Sequence, residues 1–133
     1  VKNMAYDNII LNWDYDFKGE IISPTAKTNI GISENGLQPY HMLFGALGSC
    51  FYATFLSVAK KMRLSFDKAT IEISGYKSDP EMKVLDNVEM TLEIIGAGDE
   101  DRLTKAAKLG AQYCSIHELV SKAAKIKLNV EFK

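Results

Sequence analysis

From Met42 to Ala59 the chain runs 18 residues without a charged side chain, and no other feature constrains the fold as tightly. That length is where a membrane-spanning helix becomes a candidate. The stretch also holds Gly45, Gly48, Ser49, Thr54 and Ser57, and the segments around it read as amphipathic strands that need something apolar to cover. A central helix buried on all sides accounts for both observations, so no membrane partner is expected. Pro39 falls in the first turn, where its missing N–H costs nothing. Lys60, Lys61 and Arg63 stand at the other end, where cations suit the helix dipole. The helix is therefore expected from Pro39 to about Arg63.

The flanking segments alternate with a period of two. Ile9, Leu11 and Trp13 begin the pattern, Tyr15, Phe17, Gly19 and Ile21 continue it, and Ser23-Pro24 breaks it. Ile30 and Ile32 make a short third strand before a turn at Glu34-Asn35-Gly36. After the helix, Ile71 and Ile73 alternate with Thr70, Glu72 and Ser74. Val88, Met90, Leu92 and Ile94 alternate with Glu89, Thr91 and Glu93. With Asp79-Pro80 between them, these two strands read as an antiparallel pair. Asp99 to Tyr113 is an amphipathic helix with an acidic start. Ser115-Ile116-His117-Glu118 fits a Ser-x-x-Glu capping box that opens another helix. Ile126, Leu128, Val130 and Phe132 form a closing strand. The order βββ-α-ββ-αα-β is α+β, in one domain over residues 1–133.

One sheet of about six strands covers only one side of an all-round apolar helix. The small residues Gly45, Ala46, Gly48, Ser49 and Ala53 would let another backbone approach, so a homodimer sharing a core is expected. With 16 basic residues scattered among 17 acidic ones and a net charge of −1, nothing draws the chain to nucleic acid. Asp7, Asn8, Asn12 and Asp14 stand where a secretion signal needs an apolar core, and the cytoplasm is the expected compartment.

Two cysteines remain, with no CxxC and no secreted disulfide framework. Cys50 lies in the apolar helix, where an unpaired thiol usually serves as a small core filler. Cys114 lies at a helix start, which lowers a thiol pKa and makes it the better activated of the two by local physics. If the fold joins them, they form a redox pair. His41 precedes Cys50 by nine residues, about 13 Å and about half a turn away around a helix, which disfavours it as a base within one chain. His117 shares a helix face with Cys114, where it either orients or deprotonates that thiol or is simply exposed. Zinc would accept Cys50, Cys114 and a histidine, but no close spacing beyond Cys114-x-x-His117 supports a site, and no metal is expected.

Pro39-Tyr-His-Met-Leu-Phe-Gly-Ala-Leu-Gly-Ser-Cys50 resembles the Pro-x-x-Leu-Leu-x-Ala-x-(Gly/Ala)-x-Cys helix signature of the OsmC/Ohr proteins, the osmotically inducible and organic hydroperoxide resistance proteins. Cys114-Ser-Ile-His117 corresponds to that family's second signature, Cys-Pro-Val/Ile-Ser, and the gap between the cysteines agrees. The resemblance covers essentially the whole chain. It implies an OsmC-like fold, an intertwined homodimer, and sites at the subunit interface. By position it makes Cys50 the peroxidatic cysteine, attacking an organic hydroperoxide, and Cys114 the resolving one.

Three departures stand beside it. Peroxidase members carry a glutamate after the motif proline, and here that residue is Tyr40. Other branches carry it one residue later, and here that is His41. The arginine that peroxidase members place in their N-terminal strands is absent, since the chain has only Arg63 and Arg102. Lys18 is the nearest cationic substitute and Lys27 another, but a lysine is a point charge without arginine's fork. Tyr40 either fills the missing carboxylate's place, donating a hydrogen bond to substrate or thiolate, or is interface packing, the commoner role of such a tyrosine. Phe44, Phe51, Tyr52 and Phe55 are core residues or the lining of an apolar channel.

Two functions follow from this. The first is a thiol-dependent redox protein reducing an apolar hydroperoxide through a Cys50–Cys114 disulfide. No cofactor fingerprint is present, so an external dithiol would reduce it. The second is a non-peroxidase member that binds a small apolar ligand at the dimer interface, because the family's arginine and glutamate are unmatched.

Overall fold

The computed structural model describes residues 8–32 and 34–133. Its elements run β1 (Ile10–Trp13), β2 (Lys18–Ile22), β3 (Lys27–Gly31), α1 (Pro39–Lys61), β4 (Lys68–Tyr76), β5 (Asn87–Ile95), α2 (Glu100–Tyr113), α3 (Ser115–Ser121) and β6 (Lys125–Phe132). This is the α+β order expected from the sequence. The expectation of one sheet of about six strands needs correction. Among the described residues the strands form two sheets of three, β1-β2-β3 and β4-β5-β6. The chain divides into two compact units at Leu43 and Phe44.

In the first unit, β1, β2 and β3 form an antiparallel meander. Tyr15 and Phe17 continue the alternation in sequence but lie in the bend between β1 and β2, not in a strand. Tyr15 turns the chain there at φ 93, a left-handed conformation seldom taken by a bulky residue. The Trp13 and Phe17 rings stack across this bend at 5.1 Å. Gly19 lies opposite Trp13, where a Cβ would collide with the Asn12 carbonyl oxygen. Ser23 closes the next turn, its Oγ accepting the Ala26 N–H at 3.0 Å.

In the second unit, β4 pairs antiparallel with β5, and β5 pairs parallel with β6. A parallel pair needs a crossover, and α2 and α3 supply it. Alternation on β5 puts Val88, Met90, Leu92 and Ile94 wholly inside. Over them α1 lays Leu47, Phe51, Phe55 and Ala59, spaced by four along one helical stripe. Full burial of Leu47, Phe51 and Phe55 contributes about 1.5–3 kcal/mol each. Among the described residues the opposite side of α1 is less covered: Leu43, Gly45, Ala46, Ser49 and Ala53 are exposed. Although α1 is long and apolar enough to cross a membrane by composition, its main apolar stripe belongs to the core.

Asp99 caps α2 by accepting the Arg102 N–H at 3.1 Å, and Leu103, Ala106, Ala107, Gly110 and Ala111 form its inner stripe. The two helices touch at Gly110. Thr54 Oγ1 on α1 donates to the Gly110 carbonyl at 2.7 Å, and a Cβ on Gly110 would lie 2.7 Å from Phe55 Cα. At the far end of α1, Arg63 takes a left-handed conformation (φ 58) and the Leu64 N–H returns to the Ala59 carbonyl at 2.9 Å. Arg102 Nη2 donates to the Met62 carbonyl at 3.2 Å, so the guanidinium is spent on closing α1.

Candidate active site

Both cysteines belong to the second unit, and both are free thiols. Cys50 is half-buried on α1, while Cys114 is fully buried at the junction of α2 and α3. The junction forms because Cys114 leaves the helical conformation (φ −81, ψ 117), ending α2 and starting α3 one residue later. Cys114 is itself the N-cap of α3. Its Sγ accepts the His117 N–H at 3.3 Å and its carbonyl accepts the Glu118 N–H at 3.0 Å. The expected Ser115–Glu118 capping box therefore does not form. Ser115 already lies inside the helix, and the Glu118 carboxylate turns to Lys122 at 3.2 Å.

Cys50 packs against the buried cluster that contains Cys114, and the two thiols influence each other's acidity. Their electrical settings are opposite. Burial is the largest single influence on Cys50 and pushes its thiol pKa up. The Cys114 thiol, the Ile116 N–H, and the hydroxyl and N–H of Ser115 together outweigh it, leaving Cys50 below the ordinary thiol value. Burial also leads at Cys114 and pushes it up. The Cys50 thiol and the charge there add to that, against the N–H groups of His117 and Ile116, and Cys114 ends above the ordinary value. The expectation that Cys114 is the better-activated thiol is thus reversed. The backbone amides at the start of α3 favour an anion on the neighbouring α1 sulfur more than on the sulfur that caps them.

His117 is half-buried, and burial is the main reason its imidazole is held below the usual histidine range, with the Glu118 charge opposing. It serves Cys114 through its backbone N–H. Lys18, Tyr40 and His41 lie in the first unit. Lys18 opens β2 opposite Gly31, on the rim of a polar depression with Asp14, Glu20 and Asn29. Lys27 is 3.8 Å from Glu20. Tyr40 is exposed in the first turn of α1. His41 is exposed too, and its Nδ1 accepts the Gln38 N–H at 3.0 Å, a cap on the start of α1.

The aromatic group divides between two settings. Phe51 and Phe55 are core. Phe44 and Tyr52 line a groove of about 450 Å³ with Gly45, Gly48 and Ser49 of α1 and Ala69, Ile71 and Ile73 of β4. Among the described residues no three His, Cys, Asp or Glu side chains gather closely enough to hold a metal. Ser115 and Ile116 escaped the sequence reading as site residues. The available signal was Ser115 itself, a serine where the family signature has proline.

Residues 32–129 match the family model for OsmC-like protein. The chain belongs to the OsmC-like family. A hypothetical protein from Aquifex aeolicus shares 24% identity with this OsmC-like chain at a TM-score of 0.85, with 98% of each chain covered. An OsmC-like protein from Mycoplasma pneumoniae shares 18% at a TM-score of 0.86, covering 98% of this chain and 99% of that one. The organic hydroperoxide resistance protein OhrB of Bacillus subtilis shares 15% at a TM-score of 0.71, covering 97% and 100%. No match was found among curated proteins. At these identities the structural likeness establishes the OsmC-like fold.

Proposed function

We propose that this OsmC-like protein is a thiol peroxidase that reduces apolar organic hydroperoxides, with Cys50 as nucleophile and Cys114 as resolving residue. The observation that carries the reading is the packing of Cys50 against the cluster that contains Cys114, with the lowered pKa on the more accessible sulfur. The thiolate is the reactive form, so the more acidic and less buried thiol is suited to attack. Cys50 Sγ attacks the peroxide oxygen: the S–O bond forms, the O–O bond breaks, and the alkoxide takes a proton to leave as an alcohol. Cys114 Sγ then attacks the Cys50 sulfenic acid. The S–S bond forms, the S–O bond breaks, and the departing hydroxide takes the Cys114 proton and leaves as water. An external dithiol restores both thiols by exchange. The raised pKa of Cys114 keeps its proton in place until the second step, when the departing hydroxide takes it.

The exposed small and apolar faces of α1 support a homodimer, and the composition supports a soluble, cytoplasmic protein of one domain. The groove beside Phe44 and Tyr52 supports the second reading, a non-peroxidase member holding a small apolar ligand. Titrating free thiols after treatment with excess cumene hydroperoxide separates the two. Complete loss of both thiols to one intramolecular disulfide is expected, and two thiols surviving excess oxidant would rule the peroxidase out. Native mass spectrometry of the fresh protein reads the oligomer and any retained ligand together; a monomer would overturn the dimer.

A further inference from the structure

Thr54 stands one turn after Cys50 on α1, and Gly110 stands one turn before Cys114 on α2. A hydrogen bond joins the two positions: Thr54 Oγ1 donates to the Gly110 carbonyl at 2.7 Å, 56 positions away in sequence. A threonine inside a helix ordinarily returns its hydroxyl to a carbonyl of its own preceding turn. The Phe51 and Cys50 carbonyls are within reach for that, at 2.9 and 3.3 Å. A hydroxyl has one proton, and the shortest of the three contacts is the one to α2.

The Gly110 carbonyl is open to Thr54 for a local reason. In a continuing α-helix it would accept the Cys114 N–H. Cys114 leaves the helical conformation, and its N–H goes to the Ala111 carbonyl at 3.3 Å instead. Gly110 thus holds one of the carbonyls that a helix C-terminus must satisfy by other means, and it is buried. The Thr54 hydroxyl takes the position the Cys114 amide gives up. A glycine permits the approach, since a Cβ there would stand 2.7 Å from Phe55 Cα. The break in α2 that puts Cys114 beside its neighbours is therefore fastened to the helix that carries Cys50, and Cys50 packs against the cluster containing Cys114.

We propose that Thr54 is a positioning residue of this site: by fastening α1 to the last turn of α2 it fixes the separation of the Cys50 and Cys114 sulfurs and so favours their disulfide over the dithiol. The proposal deepens the peroxidase reading, whose product is that disulfide, and rests on these two cysteines pairing. Disulfide closure is exacting, because the two Cβ atoms must come to about 3.8 Å. The clamp acts on each of them through a single turn of helix.

The test is a redox titration of the full chain in glutathione buffers, with dithiol and disulfide forms separated by alkylation and intact mass. Exchange with glutathione disulfide forms the protein S–S bond and releases two glutathione thiols, so no peroxide is involved. Thr54→Val keeps the side chain's shape without the hydroxyl and is expected to shift the equilibrium about tenfold toward the dithiol. Thr54→Ala is expected to do the same, so a folding failure of one variant leaves the other. Thr54→Ser, which keeps the donor, is expected to match the parent. So is Thr104→Val, since the Thr104 hydroxyl donates only within α2, to the Glu100 carbonyl at 2.9 Å. With hydroperoxide as oxidant, Thr54→Val should oxidise Cys50 at the parent's rate and close the disulfide more slowly, a split that loss of stability alone would not produce. Equal equilibria in the parent and the hydroxyl-free variants, a serine that fails to rescue, or a parent that forms no intramolecular disulfide overturns the proposal. A Thr54 effect in glutathione, in a protein that ignores cumene hydroperoxide, refutes the peroxidase reading alone.

Discussion

Cys50→Ser is expected to lower hydroperoxide consumption to the uncatalysed background, whereas Cys114→Ser is expected to allow one turnover and then stop. The difference follows from the inequality of the two sulfurs. Cys50 carries the lowered pKa and is reached from solvent, so removing it removes the nucleophile. Cys114 is buried and held above the ordinary thiol value, so removing it leaves the first oxidation intact and blocks its resolution. The Cys114→Ser protein should therefore accumulate a sulfenic acid on Cys50 that dimedone traps at one equivalent per chain. Peroxide loss followed by a ferrous–xylenol assay, with mass spectrometry of the dimedone adduct, reads both effects. Consumption persisting in Cys50→Ser, or an adduct on Cys114, would reverse the assignment.

Gly110→Ala is expected to destabilise the fold by about 2 kcal/mol. Alanine is ordinarily the better helix residue, by about 1 kcal/mol, so the expected sign runs against propensity. The reason is the contact between α1 and α2. The added Cβ would stand 2.7 Å from Phe55 Cα and 2.8 Å from Phe55 N, atoms of a helix backbone that cannot rotate aside. The helices would have to separate, weakening the Thr54–Gly110 hydrogen bond and the packing of Phe51 and Phe55. Because α2 leads into Cys114, such a shift should also slow disulfide formation. Gly45→Ala is the matched comparison. Nothing lies within 4 Å of its added Cβ, so a gain of up to about 1 kcal/mol is expected from the chain alone. Urea unfolding of both variants tests the pair, and a stabilised Gly110→Ala would show that the crossing is looser than described.

The residues that made this fold legible carry their information locally. Val88, Met90, Leu92 and Ile94 announce a half-buried strand by spacing alone, and every one of them is buried. Met42 to Ala59 announces a helix that must enter a core, and its four-residue stripe does so. What local pattern does not carry is pairing. The partition of six strands into two sheets depends on contacts between distant segments, as does the parallel pairing of β6 with β5. Tyr15 and Phe17 misled for a related reason. Their alternation continues that of β1 in sequence, but the chain bends at Tyr15 and Phe17 folds back to stack on Trp13.

The site was legible to the same degree. A small-residue run of α1 leading to Cys50 and a helix start at Cys114 marked both sulfurs. The sequence places Cys114 at the helix start but does not say which neighbour receives the amides behind it. That orientation depends on the crossover through α2, and it transfers the activating effect from the capping sulfur to Cys50. His117 was noticed for its ring, whereas the structure employs its amide.

Because the Cys114 sulfur also ties down the first turn of α3, a residue put in its place changes two things at once. Alanine would delete the hydrogen-bond acceptor along with the thiol, and any kinetic defect would blur into local unravelling. Serine, among the best residues for holding an N-terminus, keeps the turn fastened and isolates the chemistry.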